Sequence, residues 1–183
     1  MSWHLRGNDN AEVRCLVTVG RTPFVRIMPA RAPDLDTCAA LLREYAESLG
    51  IDLSFQRFTE EVATLPGAYA PPTGAFLLAW RGEEVVGCAA LRRFSEQAVE
   101  LKRMYVRPRW RGYGVGRALI RGVVDEARRL GYRRILLDTL PEMIAAHALY
   151  QEVGFEPIEP YYDTPIPGMR FMALDLMKRC DPE

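Results

Sequence analysis

The chain has 183 residues, 49% of them hydrophobic, which is enough for one well-buried core and short for two. Lys plus Arg and Asp plus Glu balance at 24 each, so no global field draws the protein to nucleic acid or an anionic membrane, and a charged partner has to be held by a local cluster. The cysteines, Cys15, Cys38, Cys88 and Cys180, form no CxxC pair, and the imidazoles are His4 and His147, which argues against a metal site or disulfide framework and for a reducing, cytoplasmic setting.

From Met1 to Val25 polar and apolar residues alternate. The longest apolar run, Cys15 to Val17, is too short for the core of a signal peptide, so neither secretion nor membrane insertion is expected. Residues 1–23 read as an N-terminal extension, with one short strand around Arg14 to Val19, and residues 24–178 as a single domain. Phe24 to Met28 forms a first strand. After Pro33, the apolar set Leu35, Cys38, Ala39, Leu42, Ala46 and Leu49 recurs at helical spacing, with Asp34 as N-cap and Gly50 as stop. A weaker helix covers Phe58 to Leu65, and a loop rich in Gly and Pro follows as far as Gly74.

Ala75 to Trp80 and Val85 to Leu91 are apolar runs separated by Arg81, Gly82 and Glu83, a hairpin pattern that Ala98 to Val106 extends to a three-stranded meander. Gly116, Leu119, Ile120, Val123, Val124, Ala127 and Leu130 trace one face of a helix that stops at Gly131. A strand at Ile135 to Asp138 comes next, then a helix carrying Ala146, Leu149, Tyr150 and Val153 that stops at Gly154, then a final hairpin ending near Met169 to Leu176. This order predicts an α/β domain built on a mixed sheet with helices on both faces.

The stretch Val106-Arg107-Pro108-Arg109-Trp110-Arg111-Gly112-Tyr113-Gly114-Val115-Gly116-Arg117 joins a strand directly to a helix. Three glycines at alternate positions let the backbone approach a ligand, and amides at a helix N-terminus form an anion site. Lys102, Arg103, Arg107, Arg109, Arg111 and Arg117 supply the local cluster of cations that a neutral chain needs to hold a pyrophosphate. A Walker A loop is excluded, because Arg117 and Ala118 follow the last glycine where Lys and Ser or Thr are required. A GxGxxG fingerprint would need glycine at Arg117 or Leu119. Asp138 does stand near the distance of a ribose-binding acid, which leaves a Rossmann-type dinucleotide site as an alternative.

The hexapeptide Arg111-Gly112-Tyr113-Gly114-Val115-Gly116 resembles the Arg/Gln-x-x-Gly-x-Gly/Ala signature of the GNAT acetyltransferases. Glu100 to Pro108 looks like the strand that leads into it, and Ala146-x-x-Leu149-Tyr150-x-x-x-Gly154-Phe155 is similar to that family's closing helix and strand. The resemblance implies a mixed, mostly antiparallel central sheet and an N-acetyltransferase that moves an acetyl group from acetyl-coenzyme A to a primary amine by direct attack in a ternary complex. It also implies no metal, a small-molecule or peptide acceptor, and a monomer or homodimer. A domain that binds acyl-coenzyme A as a regulatory ligand without turnover is the alternative of a different class.

By the same resemblance Met104, Tyr105 and Val106 pair with the pantetheine arm like an added strand. Arg111, Gly112, Tyr113, Gly114, Val115, Gly116 and Arg117 hold the pyrophosphate, and an amide of the strand, that of Tyr105, meets the oxyanion. Tyr150 stands where the family's general-acid tyrosine stands, and Glu100 is the candidate base. Met143 occupies a position where many members have Asn. His147 falls on the expected outer face of the last helix. The first two helices, the loop from Pro66 to Gly74 and the segment Tyr161 to Gly168 are expected to select the acceptor, with Asp163 as a candidate attractor of an amine.

Overall fold

The computed structural model describes residues 25–50 and 57–178. The expected strand around Arg14 to Val19, with the extension that contains it, lies outside the described residues. The described strands are β1 (Arg26–Pro29), β2 (Ala75–Arg81), β3 (Glu84–Arg93), β4 (Ala98–Val106), β5 (Arg134–Thr139), β6 (Glu156–Ile158) and β7 (Arg170–Asp175). The helices are α1 (Leu35–Leu49), α2 (Phe58–Ala63), α3 (Val115–Arg129) and α4 (Ile144–Val153). None of these helices is long and apolar enough to cross a membrane.

The seven strands form one sheet in the order β1-β2-β3-β4-β5-β7-β6. Every described pairing is antiparallel except β4 with β5. A doubly wound nucleotide fold needs a parallel sheet, so the Rossmann alternative is overturned by this topology. The two-residue period of β2 explains the layers: Leu77 and Ala79 point into a core with Leu119, Ile120 and Val123 of α3, whereas Phe76 and Leu78 point into a second core with Cys38, Leu41 and Leu42 of α1. α2 joins α1 on that second face through Phe58 and Val62, and Tyr150 of α4 joins the α3 face.

Local signals explain most boundaries. Gly50 and Gly154 end α1 and α4 in the left-handed conformation. The first hairpin is tighter than expected, since the ladder runs to Arg81↔Glu84 and leaves two residues, Gly82 and Glu83, as the turn. Asp34 does precede α1, but its carboxylate turns back to accept the Arg31 amide at 2.8 Å, so it closes a preceding short 3-10 turn instead of capping the helix.

Two features of β4 open the sheet. Its parallel ladder with β5 covers Ala98↔Arg134 to Leu101↔Leu137, and beyond Leu101 the two strands diverge. On its other edge β4 carries one extra residue between the pairs Ala90↔Lys102 and Cys88↔Tyr105, a bulge at which Arg103 takes φ 56°. A bulge bends its strand and re-aims side chains. Here Leu101 and Met104 pack toward the α3 core while Lys102 and Arg103, although consecutive, both serve the opposite side.

Candidate active site

A cleft lies in the fork between β4 and β5. Lys102, Arg103 and Met104 of β4 form one wall; Asp138 and Thr139 of β5, with Leu140 and Met143 of the following turn, form the other. Tyr45 of α1 and Tyr150 of α4 close it from the two faces of the sheet, and Ile166 and Met169 form its lip. The segment Tyr161 to Gly168 therefore reaches the cleft through Ile166, whereas Asp163 is exposed and does not line it.

The glycine turn sits at the far end of β4. Gly114 takes φ 77° directly before α3, a left-handed conformation that is inexpensive only for glycine. The first helical bond is Ala118 N to Gly114 O at 3.0 Å, so the amides of Val115, Gly116 and Arg117 precede the helical ladder and point from its positive end. Gly116 also serves packing. A Cβ there would stand 3.3 Å from Leu149 of α4 and 3.8 Å from Met104, so its bare backbone lets α3, α4 and β4 meet.

Most of the cations expected around this turn are engaged elsewhere. Arg107 holds Glu44 of α1 at 2.7 and 2.9 Å and the Val85 carbonyl at 2.6 Å. Arg109 pairs with Glu84, and Arg117 with Glu152 of α4 at 2.7 Å. Arg111, which is exposed, donates through Nε to the Val106 carbonyl at 3.0 Å. Tyr113 is half exposed, edge-on to Trp110. Lys102 and Arg103 face the cleft, so the six cations do not form one cluster.

Tyr150 is buried, and its hydroxyl donates to the Met104 sulfur at 3.6 Å. Burial, then the neighbouring Tyr45 and Asp138, push its phenol well above the ordinary value, so it keeps its proton at neutral pH. Tyr45 is likewise pushed up to about 12, chiefly by burial.

Glu100, the candidate base, is tied to other side chains. It is 1% exposed and lies outside the cleft lining. Arg92 Nε donates to its Oε2 at 2.6 Å and the Tyr161 hydroxyl to its Oε1 at 2.9 Å, with Lys102 Nζ at 3.8 Å. A carboxylate bonded in this way orients its donors and is shut off from an incoming amine. The carboxylate that does reach the cleft is Asp138, whose Oδ1 accepts Lys102 Nζ at 2.6 Å. The sequence marks Asp138 by its place near the end of β5 and by the spacing that suggested a ribose-binding acid, neither of which points to this cleft.

Arg103 is the second cation of the cleft wall. Glu61 of α2 receives its Nε at 2.8 Å and its Nη2 at 2.6 Å, and the Tyr69 hydroxyl donates to the same carboxylate at 2.6 Å. Burial raises the Glu61 carboxyl, but the bonds and charge of Arg103, followed by Tyr69, outweigh it and leave the group below its ordinary value. The helix α2 is thus fastened to the bulge of β4.

His147 also departs from expectation. It is 5% exposed, and Nε2 has no hydrogen-bond partner among the described residues. It lies four residues after Met143 and three before Tyr150, which places all three on the inner face of α4 while Ile144 is turned to solvent. Met143, at the start of α4, presents a thioether to the cleft where an amide would be polar, and accepts a weak bond from the Thr139 hydroxyl at 3.8 Å.

The sequence profile of the acetyltransferase (GNAT) family matches residues 37–155. An uncharacterized N-acetyltransferase of Schizosaccharomyces pombe is 39% identical over 148 residues, covering 79% of this chain and 90% of that protein. The N-acetylaspartate synthetase of Danio rerio is 37% identical over 117 residues, 63% of this chain and 42% of its own length. An acetyltransferase structure from Streptococcus agalactiae superposes with TM-score 0.67 at 25% identity, over 82% of this chain and 98% of that one. A GNAT family acetyltransferase from Elizabethkingia anophelis, solved with acetyl-CoA bound, shares the fold with TM-score 0.57 at 18% identity, over 82% and 97% of the two chains.

Proposed function

Because the chain belongs to the acetyltransferase (GNAT) family, and is an acyltransferase, we propose that it moves an acetyl group from acetyl-coenzyme A to a primary amine by direct attack with both substrates bound. The observation that carries this reading is the fork of β4 and β5. It brings a buried, protonated phenol and an unpaired strand edge to one cleft, and the same strand leads on to the glycine-rich start of α3.

The residues fit an extended, phosphate-bearing cosubstrate. Amides of Val115, Gly116 and Arg117 meet a pyrophosphate at the positive end of α3, and no side chain at Gly112 or Gly114 obstructs it. Arg111 turns from the Val106 carbonyl to the phosphate, and Arg117 exchanges the exposed Glu152 for it. Met104 and Val106 offer backbone groups along the edge that β5 no longer covers, whereas Tyr105, paired with Cys88, turns its amide toward β3, so the expected oxyanion amide is not that of Tyr105. Acetyl-coenzyme A supplies the activated thioester. Tyr150 donates its proton to the departing sulfur, a role for which its position beside the Met104 sulfur suits it. Glu100 acts by positioning, holding Tyr161 and facing Lys102.

The test is to mix the protein with acetyl-coenzyme A and a panel of amines while monitoring free thiol. Thiol release that depends on an amine, and a higher thermal midpoint with acetyl-coenzyme A alone, are the expected results. Gly114→Val should abolish the thermal shift. Tight binding without turnover on any amine would assign the chain to the regulatory class, and stabilisation by NAD in place of coenzyme A would defeat both readings.

A further inference from the structure

We infer that the acceptor amine carries a carboxylate, and that Lys102, flanked by Arg103, is the group that binds it. The inference rests on the acetyltransferase reading above and adds the class of its second substrate.

The first observation is the bulge. In a regular strand consecutive side chains point to opposite faces, so Lys102 and Arg103 could not both face the acceptor side. The extra residue of β4 brings them together, and it does so with a non-glycine residue at φ 56°. Backbone of this kind is costly and persists where surrounding structure imposes it, most often at ligand sites.

The second observation is what the pair is made of. Their side chains are 5% and 2% exposed, and burying cations is unfavourable even when each is matched by an acid, as here by Asp138 and Glu61. An apolar wall would fold at least as well. Lys102 also has donors to spare: its ammonium carries three, Asp138 takes one at 2.6 Å, and Glu100 at 3.8 Å is beyond hydrogen-bond distance. The phenols of Tyr45 and Tyr150, which line the same cleft, are hydroxyl donors that stay neutral. Besides Asp138, which is bonded to Lys102, the polar side chains of the cleft are the two cations, the two phenols and the Thr139 hydroxyl, all of which can donate to an oxyanion.

The third observation is position. The β4–β5 ladder ends at Leu101↔Leu137, so Lys102 and Asp138 are the next residues on each strand and their ion pair stands at the apex of the fork. Lys102 precedes Met104 by two residues, about 7 Å along a strand at most. A carboxylate at Lys102 and an amine attacking beside Met104 therefore belong to one small molecule, an amino acid.

The experiment uses α-amino acids with acidic and neutral side chains, each compared with its carboxamide and its decarboxylated amine, in the thiol-release assay. The acid should exceed both analogues by about 100-fold or more in kcat/KM, the discrimination of a site built around a buried polar contact. Lys102→Met alone leaves Asp138 unpaired, so the informative protein is Lys102→Met with Asp138→Asn, which removes both charges. It should keep the acetyl-coenzyme A thermal shift while the ratio of acid to carboxamide falls to about one. An unchanged ratio in the double variant would show that Lys102 does not read the carboxylate. Turnover of amines that lack a carboxylate, as fast as of those that carry one, overturns the inference and leaves the acetyltransferase reading standing. No thiol release from any amine overturns both.

Discussion

The Tyr150 hydroxyl donates to the Met104 sulfur across 3.6 Å, so α4 and the open edge of β4 meet at one point of the cleft. A thioether is a weak acceptor and leaves the phenol free to exchange it for a better one. Tyr150→Phe keeps the ring and its contact with Phe155 but removes the proton, so kcat should fall by roughly 10² to 10⁴-fold with acetyl-coenzyme A affinity and stability nearly unchanged. Tyr150→Ala should instead cost about 3 to 5 kcal/mol of stability, as aromatic truncations in cores do. Parallel kinetics and denaturant titrations separate the two effects, and a fully active Phe variant removes Tyr150 from the chemistry.

Arg111 is the cation of the turn that holds a backbone carbonyl and no acid. Arg111→Ala should weaken acetyl-coenzyme A binding at low salt without lowering the thermal midpoint of the free protein. The loss should shrink as salt is added, because the contact is ionic and exposed. Calorimetric titration at two ionic strengths measures it.

The Arg103–Glu61 pair makes a prediction about folding. Glu61→Gln leaves a guanidinium that is 2% exposed without its counter-charge, and breaking such a pair costs about 3 to 5 kcal/mol. The carboxyl of Glu61 lies below its unfolded value of 4.5 in the folded protein, so its contribution is complete above about that pH and is lost as pH falls through the lower folded value. Denaturant unfolding of the wild-type protein should weaken in that acid range. The Gln variant should lack this part of the slope.

His147 acts at higher pH. Burial, then the charge of Arg170, hold its imidazole below the ordinary 6.5, with the Leu140 backbone acting weakly in the opposite sense. The unfolded chain binds a proton near pH 6.5 that the folded protein refuses, so stability declines as pH falls from 6.5 toward the folded value. His147→Leu should flatten this decline. Thermal midpoints recorded between about pH 7.5 and 5.5 compare the two proteins, and parallel curves would show that His147 is not the group responsible.

The two helices and the strand that carry the motif were legible because their signals are local. The apolar face of α3, the glycines that stop α1 and α4, and the alternation around Ala98 to Val106 lie within a few residues of what they determine. The bulge at Arg103 was not, since no glycine, proline or asparagine stands there and the carboxylate that Arg103 meets, Glu61, is 42 residues away. The same holds for Arg107, whose partner Glu44 is 63 residues distant. A run of basic residues reads as a cluster along the chain, although side chains of neighbours leave on different faces. His147 was misplaced for a different reason. Ala146, Leu149 and Val153 suggested the inner face, but that face is centred on Tyr150, and a residue three positions before it belongs inside.

The pairing of the basic residues near the glycine turn bears on how fast a substrate arrives. Arg107, Arg109 and Arg117 each face a glutamate, and the whole chain balances 24 basic against 24 acidic residues, so little field extends past a Debye length of about 10 Å in 0.1 M salt. A polyanion approaching this surface is not steered from a distance; it finds its partners by collision and exchange of short ion pairs. Its association rate should therefore sit in the ordinary range of about 10⁵ to 10⁷ M⁻¹s⁻¹ and change little with ionic strength, while added salt acts mainly on how long it stays.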